Sequence, residues 1–140
     1  MRIDKDQYYL KIAEVVAIRS TCIRRQYGAV IVNNGIIVAT GYNGSPRGEV
    51  NCCDSGACYC RTHSSPLDSK AATHGDQYGL CVAVHAEQNA IICADRERMQ
   101  GAVLYLATTD SSIDPAPCNF CDRMIKNAGI IKVITKAGLV

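Results

Sequence analysis

The chain has 140 residues, which suits one compact domain with a core of ordinary size, and 48% of them are hydrophobic, which excludes a disordered chain. Fifteen basic residues against thirteen acidic ones give a formal net charge of +2, and the longest basic cluster is the pair Arg24-Arg25. That balance argues against the basic stripe of a nucleic-acid-binding face. Met1 is followed by Arg2, Asp4, Lys5 and Asp6, with no apolar stretch of the length a signal or spanning helix needs, so a cytoplasmic location without a membrane partner is expected.

Residues 7–19 place Tyr8, Ile12, Val15, Val16 and Arg19 at helical spacing, predicting an amphipathic first helix. Two β-branched runs, 29–32 and 36–40, flank Asn33-Asn34-Gly35. They predict a hairpin, because Asn and Gly adopt positive φ at low cost. From Gly44 to about Gly79 the apolar periodicity vanishes, and Gly, Pro, Ser, Cys and His prevail. A stretch of that length without structure needs an anchor other than a core, and its cysteines point to a metal. A second helix is predicted over 85–98 and a buried strand over 102–108. A third helix should run from about 117 to 128 with Gly129 as its stop, and a last strand spans 130–135. The order α-β-β-loop-α-β-α-β describes one α/β domain over 1–140, with residues 44–84 as a cysteine-rich insertion.

Nine cysteines stand at Cys22, Cys52, Cys53, Cys58, Cys60, Cys81, Cys93, Cys118 and Cys121. In a reducing compartment clustered cysteines are metal ligands more often than disulfides, and an odd total argues against complete pairing. Cys93, inside an apolar helical run, reads as a small core residue, and Phe120, the single Phe, reads as core as well.

Two motifs carry the chemistry: His85-Ala86-Glu87, and Pro117-Cys118-Asn119-Phe120-Cys121, each at a predicted helix start. One His and two Cys make three zinc ligands and leave the fourth tetrahedral position to water, as catalytic sites do. Cys118 and Cys121 share one helix face, in a first turn whose unpaired N–H groups and dipole favour thiolates. Pro117 suits that start, having no N–H to satisfy. Glu87, two residues beyond His85, points away from the ligand direction and can reach the water in the open position as a proton shuttle. A CxxC alone also fits a structural zinc knuckle, but such a scaffold has no use for Glu87. The pattern H-x-E followed by P-C-x-x-C marks zinc nucleobase deaminases.

From residues 22–30 (CIRRQYGAV), 41–46 (GYNGSP) and 85–90 (HAEQNA) through 117–129, the sequence resembles the deoxycytidylate (dCMP) deaminase family. The metal motif is shared with cytidine, guanine and tRNA adenosine deaminases, whereas GYNGSP looks specific to the dCMP branch. The resemblance implies a cytidine-deaminase-like three-layer α/β/α fold with a mixed sheet, and zinc-dependent conversion of dCMP to dUMP and ammonia, supplying dUMP for dTMP synthesis. It implies zinc on His85, Cys118 and Cys121, Glu87 as the catalytic shuttle, and substrate contacts at Asn43 and Ala86. It also implies a nucleotide or allosteric loop at Gly41, Tyr42, Gly44, Ser45 and Pro46. A homohexamer, and regulation by a nucleoside triphosphate carried with Mg2+, are further implications. An Asn amide offers a donor and an acceptor to a sugar hydroxyl, and glycines at 41 and 44 allow close backbone approach. Arg24 or Arg25 can fork onto a 5′-phosphate, with Arg47 and Arg123 as weaker candidates.

Some phage and bacterial members resemble this chain in a further respect, a structural zinc bound at positions like Cys22, Cys52, Cys58 and Cys81. Cys53, Cys60, His63 and His74 are alternatives for any one of the four. A closed site there would pin the 44–84 loop. The stretch 109–116 is longer and more acidic than the family pattern, and Asp110 and Asp114 would repel a substrate phosphate if turned inwards. The chain also ends at Val140, soon after the last predicted strand, without the aromatic and basic groups that family members often add there. These departures leave dCTP or a 5-substituted deoxycytidine nucleotide as alternative substrates, with polynucleotide editing or a non-catalytic zinc scaffold behind them.

Overall fold

A computed structural model of the protein describes residues 1–58 and 81–140. Its elements in chain order are α1 (Lys5–Ile18), β1 (Tyr27–Asn33), β2 (Ile36–Tyr42), α2 (Cys52–Ser55), α3 (Ala86–Cys93), α4 (Arg96–Met99), β3 (Val103–Thr108), α5 (Asn119–Asn127), β4 (Lys132–Thr135) and β5 (Gly138–Leu139). Five strands form one mixed sheet in the order β2-β1-β3-β4-β5, with β3 and β4 parallel and the other neighbours antiparallel.

The three-layer arrangement follows from strands that are apolar on both faces. Ala29, Ile31, Leu104 and Leu106 point to one side, where Ala86 and Ala90 of α3 and Cys121 and Ile125 of α5 cover them. Val30, Val32, Tyr105 and Ala107 point to the other, beneath Tyr9 and Ala13 of α1. The hairpin turns through Asn34 (φ 51°) and Gly35 (φ 75°), the two positive φ values of a type I′ turn.

Four local readings are corrected. Helix α1 starts two residues earlier than its periodicity predicts, because Asp4 Oδ1 accepts from Gln7 N at 2.8 Å while Gln7 Oε1 accepts from Asp4 N. Its buried stripe is Tyr9, Ala13 and Ala17, not Val15, which is 66% exposed. The small residues win because a Cβ on Gly28 of β1 would collide with Ala13 O and lie 2.5 Å from Ala17 N, so helix and strand meet backbone to backbone. The helix expected over 85–98 breaks at Ala94, which is extended (ψ 148°), and restarts as α4. The break leaves Cys93 exposed and brings Met99 into the core. Phe120 is 54% exposed and carries the Arg123 guanidinium 5.0 Å from its ring centroid, so it is not core. Among the described residues no helix is long and apolar enough to cross a membrane.

Candidate active site

The site lies at the sheet end where β1 begins and β2 and β3 finish, since Tyr27 pairs with Thr108 and Gly28 with Tyr42. His85 is the N-cap of α3, with its backbone N–H donated to Gln88 Oε1 at 2.9 Å. The residue before it is clamped by a two-bond bridge, Val84 N to Gly44 O at 2.8 Å and Gly44 N to Val84 O at 3.1 Å. Cys118 is the N-cap of α5, and its sulfur accepts from Cys121 N at 3.4 Å. Two helix N-termini therefore converge, each seated on the sheet by a buried face.

His85 Nδ1 stands 3.5 Å from Cys118 Sγ and 3.3 Å from Cys121 Sγ, and the three donor atoms lie within 4.8 Å of one another. A tetrahedral zinc with ordinary bond lengths sets its nitrogen and sulfur ligands about 3.5 Å apart, so the donor set fits that ion without rearrangement. Among the described residues this is the one group of three or more His, Cys, Asp or Glu side chains gathered so closely. Glu87 is 6% exposed, and its Oε2 accepts from the Cys121 thiol at 3.6 Å. Burial pushes the Glu87 carboxyl above its ordinary range, against its backbone hydrogen bond, His85 and the Cys121 thiol. Burial also raises the Cys121 thiol, and the neighbouring Glu87 and Cys118 add to it. Groups that repel one another's ionisation around one point are what a divalent cation relieves.

A cleft of about 210 Å³ opens over this group. Of the expected contacts, Arg24, Arg25, Asn43, Ala86, Gly44 and Ser45 line it, as do Cys22, Cys52, Cys58 and Cys81. Ala86 occupies the first helical position, whose N–H has no acceptor within its own helix. Ser45 Oγ is buried with no hydrogen-bond partner among the described residues. Gly41, Tyr42, Pro46, Arg47 and Arg123 do not line the cleft. The missing Cβ of Gly41 serves helix packing, since it would collide with Ala86 O and Ala90 N of α3.

Asp110 and Asp114 are absent from the lining too. Asp110 accepts from Ser112 N at 2.9 Å and Ser112 Oγ at 2.6 Å, and these bonds lower its pKa. Asp114 lies 3.6 Å from Lys136 Nζ, which also donates to Ser111 O. Of the 109–116 stretch, Ala116 alone is in the cleft wall.

Cys22, Cys52 and Cys81 are half-buried and Cys58 is buried, yet among the described residues they do not form a cluster of three or more donors. Cys53 is exposed, and Cys60, His63 and His74 lie outside the described residues. Sequence reasoning missed Ser20, which bonds Asn43, and Thr21, which lines the cleft and whose Oγ1 accepts from Ser45 N at 3.3 Å. The available signal was a pair of hydroxyl residues just past a helix end, where such side chains bond nearby backbone.

The chain is 37% identical over 130 residues to a deoxycytidylate deaminase of Schizosaccharomyces pombe, covering 92% of this chain and 36% of that one. It therefore spans little more than a third of that relative's length. A deoxycytidylate deaminase of Mycobacterium phage D29 is 37% identical over 133 residues, covering 95% of this chain and 94% of the relative. The crystal structure of the cyanophage S-TIM5 dCMP deaminase in complex with dCMP and dUMP superposes with a TM-score of 0.64 at 30% identity, over 96% of this chain and 82% of that one. Residues 3–137 match the model of the cytidine and deoxycytidylate deaminase zinc-binding region, and the chain belongs to that family.

Proposed function

We propose that the chain hydrolyses dCMP to dUMP and ammonia, supplying dUMP for dTMP synthesis. The observation that carries this reading is Glu87, a buried carboxyl set beside a His-Cys-Cys group that borders a cleft. The relatives named for deoxycytidylate deamination, one of them bound to dCMP and dUMP, support the choice of substrate.

His85, Cys118 and Cys121 would hold a zinc ion, which would make a water acidic enough to attack near neutral pH. Glu87 would take a proton from the attacking water as oxygen adds to C4 of the pyrimidine, and deliver that proton to N3. The second proton passes through the same carboxyl to the amino group as the C4–N bond breaks, so dCMP and water become dUMP and ammonia. In this reading the Ala86 N–H donates to the pyrimidine, Asn43 meets the sugar, and Arg24 or Arg25 binds the 5′-phosphate, all four lining the cleft. Asp110 and Asp114 do not line the cleft, although Asp110 stands close enough to Arg25 to feel its charge.

Cys22, Cys52, Cys58 and Cys81 hold a second, structural zinc in this reading, with Cys53, Cys60, His63 or His74 able to replace one of them, and the ion pins residues 44–84. Their common place on one cleft supports it. Gly44 and Ser45 face the nucleotide, while Gly41 and Tyr42, the last residues of β2, and Pro46 beyond them belong to a segment that takes a triphosphate effector with Mg2+. The protein works as a cytoplasmic homohexamer on a small-molecule nucleotide.

Ammonia release from dC, dCMP, dCTP, CMP and 5-methyl-dCMP tests the assignment, with dCMP expected to be preferred. Glu87→Gln should lower turnover by about 10³-fold while zinc stays bound, since the amide cannot shuttle a proton. Full turnover in that variant would overturn the mechanism.

A further inference from the structure

We infer that Ser20 is a positioning residue, which fixes the Asn43 amide so that an N–H, rather than the carbonyl oxygen, is offered to the sugar hydroxyl of the nucleotide. The inference rests on the proposed nucleotide reading of the cleft and adds the direction of the sugar contact.

The Asn43 side chain is held on both ends. Its Oδ1 accepts from Tyr27 N at 2.8 Å and lies 2.6 Å from Ser20 Oγ. Its Nδ2 donates to Arg25 O at 2.9 Å. A backbone N–H cannot accept and a backbone carbonyl cannot donate, so flipping the amide would break both bonds. Of the two Oδ1 lone pairs, one takes the Tyr27 N–H and the other faces the Ser20 hydroxyl, whose one proton it shares with Asn43 O. Nδ2 has two hydrogens, and among the described residues one of them is used. What Asn43 can present to the cleft it lines is therefore a donor.

Ser20 makes that arrangement stiff. Its Oγ accepts from Cys22 N at 3.2 Å, which directs its own proton towards Asn43 Oδ1 and Asn43 O, 2.6 and 2.7 Å away. Its backbone N–H donates to Ala17 O at 3.0 Å, and Ala17 is fully buried at the end of α1. The amide is thus braced from the core side by a helix end. A 2′-deoxynucleoside 5′-monophosphate has one free sugar hydroxyl, at C3′, and its oxygen is the acceptor this donor would meet.

The test compares kcat/KM on dCMP and on 2′,3′-dideoxycytidine 5′-monophosphate for the wild type, S20A, S20C, S20T and N43A, with zinc per chain and thermal midpoint on each. The wild type should prefer dCMP about tenfold, the size of one hydrogen bond. S20A and the near-isosteric S20C should lose most of that preference through KM while handling the dideoxy substrate within about twofold of the wild type, and S20T should restore it. An equal loss on both substrates would make Ser20 merely structural and overturn the inference, as would an undiminished preference in S20A and S20C. If N43A erases the preference and S20A keeps it, the inference about Ser20 falls and the sugar contact stands. If the wild type shows no preference, the sugar contact itself fails and takes this inference with it.

Discussion

His85, Cys118 and Cys121 and the set Cys22, Cys52, Cys58 and Cys81 border one cleft, yet only the first is gathered to ligand distance. The difference lies in what carries each donor. His85 and Cys118 cap two helices whose inner faces, Ala86 and Ala90 in α3 and Cys121 and Ile125 in α5, are buried on the sheet. The packed core therefore fixes the positions of the elements that carry these donors. Cys22 follows α1 in an irregular connection, Cys52 opens the four-residue α2 with no buried side chain, and Cys58 and Cys81 stand at the two ends of 59–80. Among the described residues neither hydrophobic core cluster includes these four, so in the proposed second site the ion would gather them, and its binding free energy would be folding free energy for that region.

Removing one donor from each set would break or sharpen this contrast. Cys118→Ala should cost the largest effect: zinc per chain falls by one and turnover drops by about 10³-fold or more, because the nucleophile is no longer generated. Its thermal midpoint should move little, since Cys121 and Ile125 still seat α5. Cys52→Ala should show the reverse pattern. Zinc per chain again falls by one, while the midpoint drops on the order of 5 °C and kcat changes only a few-fold. Unchanged zinc content in Cys52→Ala would remove the second site and leave the cleft with one metal.

The same contrast explains what was legible in the sequence. The trio could be read because H-x-E and P-C-x-x-C are local spacings at helix starts, and local spacing becomes geometry directly. The hairpin was legible from Asn33-Asn34-Gly35, where the observed turn has both positive φ values, whereas the three layers followed from the family resemblance. The α1 stripe was misread because the tight contact uses Ala13, Ala17 and Gly28, whose value is their small size rather than their hydrophobicity. Cys93 and Phe120 were misassigned by periodicity that does not register a helix break at Ala94 or an arginine lying over a ring. Ser20 offered only the local signal of a hydroxyl past a helix end, because its partner Asn43 is 23 residues away and no local pattern names a long-range partner.

The weakest link of the gathered set is the 109–116 stretch that leads to Cys118, and Lys136→Ala tests it with the smallest expected effect. Lys136 is 43% and Asp114 73% exposed on their side chains, so their ion pair contributes under about 1 kcal/mol and is screened by salt. The stretch is also held at its start, where Thr109 Oγ1 donates to Gln26 Oε1 at 2.8 Å, and Cys118 O accepts from Asp122 N at 2.8 Å within α5. Zinc content should therefore be unchanged in the variant, with a midpoint within about 3 °C of the wild type. KM for dCMP should rise two- to threefold at low ionic strength, about the size of a weak surface charge effect, as Asp114 is released towards the phosphate, and added salt should cancel the rise. Loss of zinc instead would mean that Lys136, and not the buried face of α5, sets the position of Cys118, and the division between a core-built site and an ion-built one would no longer hold.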